Sequence, residues 1–556
     1  MTATPDDIPP VAKTRRPAGF AMLVAAGILL SRLSGLVRQK IFAHYLGNSD
    51  AAGVFSAAYR IPNFLQNLFG EGVLSASFIP VYARLLAEGD EKTAGRVAGI
   101  IASLLALVVS ILVLLGVLFT PWLLIAIAPG FKGEVRELTI TVVRILFPGI
   151  GLLVLSSWCL GILNSHHKFF LSYVAPVLMN IVMIATLVFF GSRVNDRSLA
   201  VMAAWGTVVG AFAQFGIQIP FVFRYAKHIR FAIDTTLEPV RQVVKNFMPV
   251  VFGRGVVQMS AYLDNLLATL LGTAAAAALS YAQLISLLPI SLFGMSVAAA
   301  ELPQMSSETG TVDEIHASLR KRMERGLRQI AFFVVPTVVA FIAIGNVIVA
   351  ALYQGGRFGP DDTLFVWYIL IGSTVGLLAV TLGRLYSSAF YALRDTKTPL
   401  RYAMIRVALT GGLGYLFAMP LRPLLIDAMR AAHVPLPIIH GSTVPLGAIA
   451  LTATAGVAGW LEFILLRRTL GRRIGRVNLD RSFLLKLWAA AIVAGVAGAT
   501  FKLYVMGRLG AHLPRILPHI RDGAIICCLF GIVYFAAATI LGVPEARATL
   551  GRLRKR

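Results

Sequence analysis

Apolar stretches long enough to cross a bilayer recur from one end of this chain to the other. A hydrocarbon core of about 30 Å admits only segments that satisfy their own backbone groups. We count fourteen such stretches in 556 residues, joined by short polar connections, which predicts an all-α polytopic membrane protein. Composition agrees, with 57% of residues hydrophobic and 14% charged, more apolar than the cores of soluble domains require. The second, eighth and tenth stretches are long enough to be tilted or broken. No connection is large enough for a soluble domain, so function has to be built from the spans, and the amphipathic sequence at 315–328 suits a surface helix.

The net charge of +25 resembles a nucleic-acid signal until the basic residues are placed against the spans. They group at 224–245, 320–328, 467–486 and 547–556, on one side of the membrane if the spans alternate. That bias predicts that both termini are cytoplasmic, where anionic headgroups attract each cation by about 1 kcal/mol. Topology and membrane lipids account for the charge without nucleic acid. Cys159, Cys527 and Cys528 all fall in predicted spans and imply no disulfide framework. Lys13, Arg15 and Arg16 before an apolar run look like a signal peptide, but the run continues into Ser31-Arg32-Leu33 without a small-x-small site, so a retained first helix is expected.

A weak internal repeat is visible. Phe78-Ile79-Pro80 ends the second span and Glu301-Leu302-Pro303 the eighth, an offset of 223 residues, while Lys168 and Lys397 follow the fourth and tenth spans at an offset of 229. Six spans apart is an even number, so the halves share one orientation about an axis along the membrane normal. The expected division is a tail at 1–18, an N-lobe of six helices at 19–228, a C-lobe of six at 229–470, two additional helices at 471–545 and a basic tail at 546–556.

Charges at bilayer depth mark candidate function, since each costs roughly 2.5–3.5 kcal/mol and tends to face a cavity. Arg32, Arg38, Lys40, Arg60, Asn63, Gln66, Asn67 and Glu71 crowd the first two spans. Arg32 and Arg38 point about 120° apart on one helix. Pro62 and Gly70-Glu71-Gly72 loosen the second span, as in broken helices that line a polar site. Lys40 and Arg60 also fit snorkelling to an interface, and Glu71 fits either a substrate-linked role or neutralisation of Arg60. In the second half Arg254 lies between glycines ten residues before Asp264, so each needs a partner on another helix. Arg384 and Glu462 are intramembrane, and Arg406 is expected at an interface. Arginine's planar fork suits phosphate oxygens.

No catalytic constellation is present. The nine histidines form no His-Glu-x-x-His pattern, Asp361-Asp362 after Gly359-Pro360 reads as a helix start, and Gly206 with Gly210 reads as helix packing. No enzyme activity, cofactor or metal site is expected.

Ser31-Arg32-Leu33-Ser34-Gly35-Leu36-Val37-Arg38, Arg60-Ile61-Pro62-Asn63, Phe69-Gly70-Glu71-Gly72 and Ser75-Ala76-Ser77-Phe78-Ile79-Pro80 resemble the N-terminal signature of the MurJ (MviN) lipid II flippases. The resemblance continues through Leu288-Pro289-Ile290-Ser291-Leu292-Phe293-Gly294 and Arg394-Asp395-Thr396-Lys397-Thr398-Pro399. It implies the fold of the multidrug/oligosaccharidyl-lipid/polysaccharide exporters, two six-helix lobes around a central cavity with a groove for the polyprenyl tail between the last two helices. It implies an inner-membrane protein that moves lipid II, a diphosphate-linked disaccharide-pentapeptide, to the periplasmic leaflet for peptidoglycan synthesis. By the same resemblance Arg32 and Arg38 bind substrate and Glu71 is the second-helix glutamate. The chain departs from the family at Gly53, Gln66 and Gln283-Leu284, where an acid, an arginine and an Asp-Arg pair are common; Arg254 is the candidate for the displaced cation.

The expected function is therefore alternating access with the diphosphate held by Arg32 and Arg38, and Arg60, Asn63, Gln66, Glu71 and Arg254 around it. No nucleotide-binding loop is present, and export of the anion down an inside-negative potential would release about 2.3 kcal/mol per charge per 100 mV. Alternatives are an exporter of another lipid-linked glycan, a cation-coupled antiporter, which would want cavity acids, and a polyprenyl-phosphate transferase, which would want clustered acids for Mg²⁺.

Overall fold

Within hydrocarbon an unpaired N–H or C=O has no water to turn to, so the apolar runs form helices and polar residues collect at the turns. The computed structural model describes residues 18–306, 311–439, 441–477, 479–506 and 518–554. The side chains at 18–26, 28, 61, 62, 71, 252–261, 504–506 and 550–554 lie outside the described residues.

The first half comprises α1 (Ala18–Leu46), α2 (Asp50–Phe69), α3 (Glu71–Ser77), α4 (Ile79–Ala87), α5 (Glu91–Ile127), α6 (Gly133–Ser165), α7 (Phe169–Phe190) and α8 (Asp196–Tyr225). The second comprises α9 (Glu238–Leu270), α10 (Thr273–Pro289), a π turn (Ile290–Met295), α11 (Ser296–Ser306), α12 (Val312–Ala343), α13 (Gly345–Tyr353), α14 (Pro360–Ala392), α15 (Lys397–Ala418), α16 (Arg422–Ala431) and α17 (Gly447–Ile474). Then follow α18 (Arg481–Thr500), α19 (Pro518–Ile540) and α20 (Pro544–Arg554).

Among the described residues ten helical segments are long and apolar enough to cross a membrane, or eleven if α15 and α16, bent by 61°, form one span. The sequence count of fourteen exceeds this by α1, α2 and α9, the helices that carry Arg32, Arg38, Lys40, Arg60 and Arg254. Two of the three long stretches are broken. The second stops at Gly70 and restarts as α3, and the eighth passes through the π turn after Pro289, whereas the tenth is the single helix α14. Asp362 starts α14 by accepting the Gly359 N–H at 2.9 Å. The stretch at 315–328 is not a separate surface helix. Leu319, Met323 and Leu327 are buried on one face of α12, so this segment continues directly into the span.

Packing divides the helices into sets. In the first half α8 packs on α6 and α7, α7 on α1, and α2 on α6; in the second α14 packs on α12 and α17, and α15 on α17 and α9. Gly206 and Gly210 let α8 approach α7, where a Cβ on Gly210 would lie 3.1 Å from Met179. The helices α18 and α19 form a separate buried cluster with α12 and α13, fastened by the Tyr534 hydroxyl donating to the Phe332 carbonyl at 2.6 Å and by the Arg328–Glu545 pair at 2.6 Å.

The halves meet closely at the end that carries the α1–α2 turn. Thr273 donates to Asp50, Lys40 Nζ donates to the carbonyls of Ala351 at 3.0 Å and Leu352 at 3.4 Å, and the Arg357 N–H donates to the His44 carbonyl at 2.9 Å. Tyr281 donates to the Gly47 carbonyl at 2.7 Å, and Arg357 pairs with Asp196. A Cβ on Gly53 would lie 2.6 Å from the Thr273 Cα, so α2 and α10 touch backbone to backbone here. This is the latched end of the bundle.

Candidate functional site

Below the latched end, α1, α2, α9 and α10 enclose a cavity of about 400 Å³. Arg38 and Gln39 enter from α1, Arg60 and Asn63 from α2, and Ser280 and Gln283 from α10. Tyr262 and Asn265 complete the wall on α9, and the Tyr262 hydroxyl donates to the Arg60 carbonyl at 2.7 Å.

Arg60 is the centre of this arrangement. Its guanidinium reaches out of the first half and donates to Gln283 Oε1 at 2.6 Å and Ser280 Oγ at 3.2 Å in the second. Both partners are neutral, so phosphate oxygens, as charged acceptors, would make stronger bonds to the same donors. Asp264 acts electrostatically on Arg60, and its buried Oδ1 has no hydrogen-bond partner among the described residues.

The residues singled out in the sequence are distributed unevenly. Arg38, Arg60 and Asn63 share the cavity. Arg32 does not line it; it is exposed on α1 and donates to Ser291 Oγ, in the π turn, at 3.3 Å. Lys40 caps the last carbonyls of α13, where the helix dipole favours a cation. Gln66 lines a different chamber inside the first half, and Asn67 borders both spaces. The side chains of Glu71 and Arg254 lie outside the described residues. Arg406, expected at an interface, has an acidic partner on a neighbouring helix. It pairs with Glu462 at 3.0 Å, with only 20% and 16% of the two side chains exposed.

Sequence reasoning passed over Gln39, Ser280 and Asn265 and met Gln283 only as a departure from the resembled family, because neutral polar residues in spans carry little signal one at a time. The repeat offset held the missing cue. Adding 223 to Arg60 gives Gln283, and adding 223 to Asp50 gives Thr273; both pairs are in contact. Leu284, one of the departures from the resembled family, lines the cavity beside Gln283.

Among the described residues no group of three or more His, Cys, Asp or Glu side chains is placed to hold a metal ion. The cavity thus offers cationic and neutral donors around a space that an anion fits.

Comparison with known proteins gives consistent matches. The family model described as lipid II flippase MurJ matches residues 42–429. A probable lipid II flippase MurJ from Haemophilus influenzae is 30% identical over 406 residues, covering 70% of this chain and 79% of that protein. The lipid II flippase MurJ of Burkholderia cenocepacia is 28% identical over 539 residues, covering 95% and 98%. Among solved structures, a lipid II flippase MurJ in an inward closed conformation superposes with a TM-score of 0.72 at 22% identity, over 93% of this chain and 98% of that one. An inward-facing multidrug resistance MATE family transporter of the MOP superfamily superposes with a TM-score of 0.61 at 18% identity, over 81% and 98%.

Proposed function

The chain belongs to the lipid II flippase MurJ family, and from that premise we propose how its cavity loads and releases substrate. It is a lipid II flippase, a multi-pass membrane transporter of peptidoglycan biosynthesis and not an enzyme.

In our reading α1, α2–α3 and α9 cross the membrane with the eleven apolar spans, giving fourteen. They divide as an N-lobe at 19–228, a C-lobe at 229–470 and two further helices at 471–545. The protein sits in the inner membrane with both termini cytoplasmic, the latched end is periplasmic, and the cavity loads from the cytoplasmic side. The substrate is the diphosphate-linked disaccharide-pentapeptide on a polyprenyl chain.

The observation that carries the mechanism is the Arg60 bridge. Arg38 and Arg60 take the diphosphate, and to do so Arg60 exchanges Gln283 and Ser280 for phosphate oxygens. Loading thereby removes a bond between the lobes next to the latch, which couples substrate binding to their separation. Arg32, outside the cavity at Ser291, meets the headgroup as it passes between α1 and the π turn. Glu71 and Arg254 are assigned to re-neutralisation of the empty site and to the C-lobe cation. Outward movement of the anion is favoured by an inside-negative potential by about 2.3 kcal/mol per charge per 100 mV.

Depletion of the protein in its host, followed by separation of lipid-linked precursors in the two leaflets, tests this reading. Lipid II should accumulate in the inner leaflet. Accumulation of a different lipid-linked glycan, or of none, would refute it.

A further inference from the structure

The second chamber lies wholly inside the N-lobe, between α2–α3, α6, α7 and α8, with a volume of about 350 Å³. That falls within the roughly 300–1,000 Å³ of small-molecule sites. Its lining is unusual for a membrane interior, because amides and hydroxyls dominate it and no described lining side chain is charged. Gln214 Nε2 donates to Ser156 Oγ at 3.0 Å, and Ser156 Oγ donates to Gln218 Oε1 at 2.7 Å. All three residues are buried, so the amides are held in fixed orientations.

The backbone opens toward the same space. The break after α2 at Gly70 admits Gly72 and Ser75 to the lining. Pro176 in α7 has no N–H for the Ser172 carbonyl, and both residues line the chamber. Polar side chains and freed backbone at membrane depth persist where they face water or a polar ligand. Asn67 borders this chamber and the cationic cavity alike, so a molecule anchored at Arg38 and Arg60 lies next to it.

We propose that this N-lobe chamber is a subsite for the neutral hydroxyl- and acetamido-bearing sugar portion of the substrate, adjacent to the diphosphate site and distinct from it. The inference rests on the lipid II reading. The described lining is neutral and does not compete for the diphosphate, while oriented amides offer a donor and an acceptor together, which vicinal hydroxyls and acetamido groups match. The chamber gives the transporter a means of telling a glycosylated lipid diphosphate from a bare one, since only the ligand that carries the sugar gains hydrogen bonds to its oriented amides.

The test measures binding of lipid II and of undecaprenyl diphosphate to the purified full-length protein. Gln218→Leu should weaken lipid II binding about tenfold and leave undecaprenyl diphosphate within twofold. Ser75→Leu, which narrows the chamber without touching the Gln214–Ser156–Gln218 network, should show the same selectivity and covers the case in which Gln218→Leu does not fold. Parallel loss for both ligands would make the chamber structural, and no loss for either would make it a water pocket; each result overturns the proposal. A wild-type protein that binds neither ligand would overturn the lipid II reading itself, before any variant is compared.

Discussion

Replacing Gly53 with valine should force the α2–α10 latch open. A Cβ at this position lies 2.6 Å from the Thr273 Cα, a separation that real Cβ contacts do not show, and the obstacle is backbone rather than a movable side chain. Overpacking of this kind costs roughly 1–3 kcal/mol. The cost applies only while α2 and α10 are together, so it lowers the latched-to-open ratio about 5- to 150-fold. Ser56 lines the cavity just below the contact, and a cysteine there reports access from outside once Cys159, Cys527 and Cys528 are replaced. With Ser56→Cys, labelling by a membrane-impermeant thiol reagent from the periplasmic face should accelerate in Gly53→Val, and by a smaller factor in Gly53→Ala. An unchanged labelling rate in correctly inserted Gly53→Val would show that this contact does not hold the closed state.

Three further outcomes follow from the geometry. Arg38→Ala or Arg60→Ala should weaken diphosphate binding roughly 10- to 150-fold, the value of a charge-assisted hydrogen bond, with partial recovery by lysine; because Arg38 and Arg60 line the cavity and Arg32 does not, Arg32→Ala should weaken it less, and equal losses would count against the site. Lys40→Met should lower the melting stability of the latched protein by about 1–2 kcal/mol, the cost of uncapping α13, while lipid II affinity stays within twofold; a large affinity loss would place Lys40 in the site instead. In the α14–α15 turn the Thr398 hydroxyl and N–H hold the Asp395 carboxyl below its ordinary value of 3.8, with Arg473 assisting. A depressed carboxylate stabilises above that value and loses its contribution as pH falls below it. The stability gap of about 0.5–2 kcal/mol between wild type and Asp395→Ala should therefore be full at neutral pH and close on strong acidification; a gap that widened in acid would contradict the assignment.

The sequence exposed Arg38 and Arg60 because a cation in an apolar run is conspicuous by its cost. It could not say what each cation meets. Lys40 finds carbonyls on α13, 311 and 312 residues away, and Arg32 finds Ser291 at a separation of 259. Such partners follow from tertiary packing, which local patterning does not encode. The helix starts at Asp362 and the packing of Gly206 and Gly210 were readable, since caps and small-residue contacts depend on neighbours in the chain. The stretch at 315–328 was misread because its amphipathic face fits a lipid surface and a protein neighbour equally well, and Leu319 and Met323 meet the neighbour. Of the chamber around Gln214 and Gln218 only one edge was legible, Gln66, Asn67 and the break at Gly70-Glu71-Gly72; Ser156, Gln214 and Gln218 are neutral residues on other helices that join this edge through tertiary packing alone.

In the repeat proposed from the sequence, residues that sit 223 positions apart and touch, as Asp50 with Thr273 and Arg60 with Gln283, would occupy equivalent places and so lie near the axis relating the halves. On such an axis a side chain faces its own counterpart. Were the halves identical, an arginine at position 60 would confront an arginine and Asp50 an aspartate, and like charges would push the lobes apart at the points where they now bond. The two pairs escape this by being heterologous, charged in the first half and neutral in the second. Neutral partners at 273 and 283 are thus what lets charged residues at 50 and 60 stand where the halves bond, and divergence of the proposed repeats at these positions removes the like-charge contact that identity would impose.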